Sequence, residues 1–301
     1  MAYQTGDSIL DDHYNAFATS VNAIWGTGTG DAGYGQGTTV TAVDTSTAVA
    51  ASQWVTLLAR VTSIASHQGT SITSITNPSA GDVIGAIAAI STNIASVTTA
   101  RLTVATRQSA VTTNRDQTAT FTGTLTFTHK WAWGSTNQAR YFFNAGGRVG
   151  MSGSLTGHTS DTKADNWASL LTAAGSYLIT AQASGKSGGS GSATTNETDK
   201  GYYDLTATYA TVFKQLEDTS PYNTSFVQWQ ARTQDSAASV EVSCTWVDSA
   251  ADNTSFNKSI YNVQDQVDGT QRMSFTSEKH DTTHVTDAGG TITVSGTVGH
   301  A

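Results

Sequence analysis

From Thr120 to Thr128 every second residue is threonine, and Phe121, Gly123, Leu125 and Phe127 fill the places between. Strand side chains alternate between two faces, so this stretch buries one face and hydrates the other only as a β-strand. Threonine is also β-branched and stiff at χ1, which favours an extended backbone. Similar strand patterns return at 177–183, 202–213, 225–233, 239–247, 271–277 and 291–298. Many short strands with turn signals between them predict an antiparallel β-sandwich. Residues 184–198, with their Gly-Ser-Gly runs, read as a mobile loop between two strands.

Helical spacing comes first along the chain. Tyr14, Phe17, Ala18, Val21, Ile24 and Trp25 share one face of a helix over 11–25, with Gly26 as its stop. Trp54, Leu57, Leu58, Val61, Ile64 and Ala65 share a face of a second, with Ser52 as the expected N-cap and Gly69 just past its end. A third is expected to start at Asn77-Pro78 and to carry Val83, Ile87, Ile90, Ile94 and Val97 on one stripe. That stripe steps by four and three, a heptad spacing, and β-branched residues at both core positions favour trimers. It therefore has two readings, one as a helix packed within a small bundle and one as an oligomerisation or docking surface. A further helix over 163–174, capped by Asp161 or Thr162, turns Trp167, Leu170, Leu171 and Ala174 inward.

The expected fold class is α+β. A helical docking and oligomerisation region (1–110) precedes an antiparallel β-sandwich-like body (111–301) with one inserted helix.

Charged residues make up only 13% of the 301 residues, against a usual share of about a quarter. Threonine alone is about one residue in six, well above ordinary usage. Such a surface suits repeated packing against neighbouring subunits, because few charges need be desolvated at each contact. A net charge of −8 with only 15 Lys and Arg excludes a basic footprint for nucleic acid. Residues 1–5 lack a basic start and an apolar stretch, so no secretory signal is read there, and no apolar run approaches a membrane span. Synthesis in the cytoplasm is expected. The single cysteine, Cys244, lies between Val242 and Trp246 on an alternating run and reads as a buried core thiol.

Candidate chemistry is sparse. Gly28, Gly30 and Gly33 match the spacing of a dinucleotide-binding loop, but they follow a helix rather than a strand and open no helix. His280 and His284 flank Asp281 in what reads as a solvated loop, where four-residue spacing loses its helical meaning. His300 would reach a metal only at a symmetry axis between copies. Trp131 and Trp133 share one side of a strand end. Either they form a stacking platform for a host glycan or they wedge into the core beside Tyr141, Phe142 and Phe143. No carboxylate pair or nucleophile motif points to catalysis, so no enzyme activity, cofactor or metal is expected.

The stretch 140–154 runs three aromatics, Tyr141 to Phe143, into Asn144, Gly146 and Gly147, then places Val149 and Met151 two apart. It reads as a β-hairpin whose turn uses residues tolerant of positive φ. It also resembles a segment of structural proteins from tailed-bacteriophage particles. Further segments resemble the same family, notably its cyanophage members. They are Gly6 to Leu10, Tyr14-Asn15, Val21 through Gln36, Ser52-Gln53-Trp54, Leu57-Leu58, Ala65 to Gly69, Asp165-Asn166-Trp167, Leu170-Leu171, Gly175, Tyr202 to Thr206, Tyr209 and Val212-Phe213. The resemblance implies a virion structural protein, most simply tail-associated and fibre-like. Its partners would be neighbouring virion proteins and copies of itself; that the copies form a trimer rests on the heptad stripe and the charge-poor, hydroxyl-rich surface. It implies no catalytic residue. A host-glycan receptor module and a head or neck decoration are the alternatives.

Overall fold

The computed structural model describes residues 11–37, 39–44, 49–79, 86–159, 162–250 and 267–300. Among the described residues are five α-helices: α1 (Asp11–Trp25), α2 (Ala51–Gln68), α3 (Ile87–Thr99), α4 (Thr136–Asn144) and α5 (Thr162–Ala174). The strands are β1 (Val111–Gln117), β2 (Gly123–Ala132), β3 (Arg148–Thr156), β4 (Ser176–Ile179), β5 (Ser184–Ser187), β6 (Thr195–Asn196), β7 (Ala210–Leu216), β8 (Phe226–Gln234), β9 (Ser239–Asp248), β10 (Thr270–Glu278), β11 (Thr293–Ser295) and β12 (Val298–His300). They form two antiparallel sheets, so the fold is α+β with a β-sandwich-like body.

The chain divides into two compact units. The helical unit takes residues 1–109 together with 140–147 and 279–290; the β unit takes 110–139, 148–278 and 291–301. The helical unit is thus assembled from three separate stretches of chain.

In the β unit one sheet runs β1-β10-β3-β4-β5. The other runs β11-β2-β9-β8-β7-β6, with β12 also paired to β2. Alternation buries Leu125, Phe127 and Trp131 of β2, and Val240, Val242, Cys244 and Trp246 of β9. The sheets meet where Cys244 Sγ lies 3.6 Å from Met151 Sδ and where the His129 ring stacks on Phe275 at 4.4 Å. Cys244 is fully buried, as its alternating run predicts. Helix α5 closes the sandwich through Trp167, which stacks on Trp246 at 5.8 Å. Strands β5 and β6 lie inside 184–198, so that stretch is not the plain loop its composition predicts.

The expected hairpin at 140–154 is instead the end of α4 followed by β3. Ser135 caps the helix by accepting the Gln138 N–H at 3.2 Å. At the other end Gly146 N–H donates to the Phe143 carbonyl and Gly147 N–H to that of Phe142. This is the paired bonding of a Schellman ending, and Gly146 supplies its positive φ of 89°. A Cβ at Gly146 would also come within 2.5 Å of Val104. The glycines read as a hairpin turn are therefore a helix C-cap.

Helix α1 has its predicted bounds. Helix α2 ends at Gly69 as predicted, but Ser52 lies inside it and Ala50 holds the N-cap position. Helix α3 starts at Ile87, well after Asn77-Pro78, which lie in an irregular stretch. Ile90, Ile94 and Val97 are buried against α1 and α2, and Ile87 packs on the same core. The described part of the stripe therefore packs within the chain's own bundle. Val83, Asp161 and Gly6 to Leu10 lie outside the described residues, as does the side chain of Thr162.

The irregular segments of the helical unit are held by side-chain amides. Asn15 Nδ2 donates to the Val43 carbonyl while its Oδ1 accepts the Val43 N–H. Asn22 makes the same pair with Val40, Asn93 with Thr73 and Gln36 with Thr286. Seven residues of helix rise about 10.5 Å, and three residues of extended chain span about 10 Å. Asn15 and Asn22 thus match Val43 and Val40 in antiparallel register. Asn22→Ala should lower stability by about 2 kcal/mol in urea denaturation, because both Val40 backbone groups lose their partner. Asn22→Asp should cost at least as much, since an oxygen replaces the donor facing the Val40 carbonyl. An Asp variant as stable as the parent would refute the two-pronged role.

Candidate functional site

Two loops and one helix end bring histidines together in the helical unit. His67 sits in the last turn of α2 and is 4% exposed; His280 is 1% exposed, and the two rings meet edge-on at 5.2 Å. His67 Nε2 faces the Ala145 carbonyl at 3.1 Å, and His280 Nε2 faces that of Val285 at 3.1 Å. A carbonyl only accepts, so each Nε2 carries its hydrogen. Burial pushes His67 down to about 4, helped by the nearby His280 and opposed by the bond to Ala145. Burial also lowers His280. Both rings are neutral at pH 7.

Beside them opens a pocket of about 210 Å³ lined by Ser66, His67, Ala105, Thr106, Asp281, Thr283 and His284. Asp281 accepts the Thr283 N–H at 2.9 Å, and bonding to Thr283 holds its carboxyl below the usual range. His284 is exposed. The solvated-loop expectation for His280 and His284 therefore holds for His284 alone. His280 is drawn into the core by a ring partner, His67, more than 200 positions away in sequence. Among the described residues no group of three His, Cys, Asp or Glu side chains is placed to hold a metal ion. The pocket is smaller than the ~300 Å³ at which drug-sized ligand sites begin. It offers a neutral imidazole, a carboxylate engaged by its own turn and a solvated histidine.

The glycine-rich loop after α1 has the wrong polarity for a phosphate. Its carbonyls turn inward: Asn144 Nδ2 donates to Gly30, Ala32 and Gly33 at 3.3, 3.1 and 3.1 Å. Arg140 Nε donates to the Gly30 carbonyl at 2.9 Å. Phosphate loops present N–H groups instead. Gly28 to Gly33 is a latch for the end of α4.

Trp131 and Trp133 are 1% and 5% exposed. Trp131 packs edge-on against His129 at 4.5 Å and Phe275 at 6.0 Å. Both rings are buried and neither presents a face to a sugar; the partners of Trp131 are His129 and Phe275. His300, in β12, meets the Thr122 carbonyl at 3.0 Å and the edge of Phe121. Its ring is thus engaged within its own sheet.

The sequence pattern marks Asn144 only as a turn residue and assigns no role to His67 or Gln68. Gln68 Nε2 donates to Tyr34 Oη and to the Val97 carbonyl, both at 2.9 Å, and Tyr34 Oη donates to the Arg101 carbonyl. No protein-family model, no curated protein and no solved structure matches the chain.

The buried imidazoles set a pH dependence. Free histidine titrates near 6.5, whereas folded His67 holds off protonation to about 4 and folded His129, buried beside Arg115, to about 3. Between these values the unfolded chain binds more protons, so stability falls as pH drops from 6.5 toward 4 and further toward 3. His67 alone accounts for a loss on the order of 3 kcal/mol. Denaturant midpoints measured across this range should show it. His67→Gln should flatten the upper part of the acid limb; an unchanged limb would refute the assignment.

Proposed function

We propose that the protein is a structural component of a tailed-bacteriophage particle, tail-associated and fibre-like, and that it docks through the outer faces of its helices. One observation carries this reading. Three of the segments that resemble phage virion proteins, 21–36, 65–69 and 140–154, are far apart in sequence, yet polar residues from them are bonded to one another in the helical unit. Asn144 holds the loop at 30–33, Gln68 holds Tyr34, and His67 meets the Ala145 carbonyl. Short chance likenesses would fall without regard to such bonding.

The helix surfaces fit a docking role. Thr19, Ser20, Thr56, Ser63, Thr92 and Thr99 each donate a hydroxyl hydrogen to the carbonyl four residues earlier. These hydroxyls already have an acceptor, so covering them with another protein strands no donor and desolvates no charge. No described helix is long and apolar enough to cross a membrane.

Trimerisation remains part of the proposal on the strength of the hydroxyl-rich, charge-poor surface alone, since Ile90, Ile94 and Val97 are engaged internally. The glycan-receptor reading lost its carriers with the burial of Trp131 and Trp133. A head or neck position would use the same surface and is separated from the tail by where label falls on the particle.

Thr56→Arg and Thr92→Arg place a charge on exposed helix faces and should leave stability within about 0.5 kcal/mol of the parent. Each should sharply reduce the amount of protein found by mass spectrometry in purified particles. Incorporation at the parental level would overturn helix docking, and absence of the parent protein from particles would overturn the virion assignment. Removing 1–110 is a poor substitute, because 140–147 and 279–290 belong to the same unit.

A further inference from the structure

Among the described residues of the β unit, one pair of opposite charges lies wholly out of water. Lys163 Nζ lies 2.7 Å from Asp248 Oδ2, and both side chains are 0% exposed. Asp248 continues the inward face of β9 after Val242, Cys244 and Trp246, a place where the period-two pattern asks for an apolar residue. Lys163 sits in the first turn of α5, where the helix dipole disfavours a cation. One turn on, Trp167 stacks on Trp246, and Phe121 meets both rings edge-on at 5.5 and 6.3 Å. Aromatic surface of this kind keeps water away and raises the cost of separated charge.

The lysine nitrogen lies 2.7 Å from Oδ2 and bonds the carboxyl. At the other oxygen Ser225 Oγ donates to Oδ1 at 3.2 Å, and Ser225 is itself fixed by the Ser249 N–H at 3.3 Å. Lys163 Nζ also donates to the Ala250 carbonyl at 3.3 Å.

We propose that Lys163 and Asp248 condense into an intramolecular isopeptide bond that ties α5 to the end of β9. Desolvation raises the Asp248 carboxyl above the usual carboxylate range, with Lys163 and Ser225 opposing, which favours moving a proton from Nζ to Oδ2. The result is a neutral amine beside a neutral acid. The amine lone pair then attacks Cγ. Charge developing on Oδ1 is met by the Ser225 hydroxyl, in the manner of an oxyanion donor. A second Nζ proton passes to the Oδ2 hydroxyl, which leaves as water. One C–N bond forms, one C–O bond breaks, one water is released, and no redox partner or cofactor is needed. Ser225 touches the reacting carboxylate and is the polarising group; Ser249 positions it.

The test is the intact mass of the purified full-length chain, followed by tryptic mapping. The expected mass is below the sequence mass by one water, with a branched peptide joining Lys163 to Asp248 and no cleavage after Lys163. Lys163→Met, which removes the nucleophile at similar length, should restore the full mass. Ser225→Ala should slow bond formation after refolding and leave a measurable uncrosslinked fraction. A folded parent chain at full sequence mass would overturn the proposal without any variant. A missing water that maps to Asp268-Gly269, a sequence able to form a cyclic imide, would overturn it equally.

Discussion

A helix uses its backbone groups on itself, so an extended segment lying against it finds no peptide partner there. The helical unit answers this with carboxamides. An amide side chain is a peptide group on a short tether, able to donate and accept in one plane. Asn15, Asn22 and Asn93 each offer one from a helix, and Gln36 does so from the loop after α1. Val40, Val43 and Thr73, in the segments 39–44 and 71–79, thereby have both backbone groups bonded without belonging to any sheet. Asn144 extends the scheme to three carbonyls at once. Remove these amides and the apolar residues they position, Val40 and Val43 among them, lose the register that seats them in the core.

The choice of amides over charges follows from burial. Asn93 and Asn144 are almost wholly enclosed, where a carboxylate or ammonium would need its own counter-charge. A neutral amide needs only the backbone opposite. His67 and His280 obey the same rule by staying neutral against carbonyls. The low charge of the chain is therefore a property of its interior as well as its surface.

Local pattern was legible wherever one face decided the element. Helix α1 and strand β9 follow directly from their spacing, because each buries one clean stripe. The stretch 140–147 misled for a physical reason: Tyr141, Phe142 and Phe143 favour strands by themselves, whereas Ser135 and Gly146 supply both helix caps and decide the outcome. Helix α3 was placed too early because Asn77-Pro78 is a sound start signal in isolation. The pairing of Asn93 with Thr73 shows that this part of the chain serves as an extended partner. At the candidate site, His284 was legible as solvated, and Asp281 as part of a turn. His67 was not, since its meeting with His280 depends on three distant stretches sharing one unit.

The contrast between the units isolates the Lys163–Asp248 contact. Asn93, Asn144, His67 and His280 are buried neutral and meet backbone groups; here two formal charges are enclosed in a chain that otherwise uses charge sparingly. As a salt bridge the pair is a poor stabiliser, because full desolvation of both ions offsets most of their attraction. Apolar residues of similar volume would serve the packing of Trp167 on Trp246 as well or better. The pair makes more chemical sense as reactants than as ions. Neutralisation removes the desolvation cost, and condensation makes it permanent while expelling the one molecule, water, that the site already excludes. On that account the aromatic wall has two roles, filling the end of the sandwich and keeping the amide from being hydrolysed.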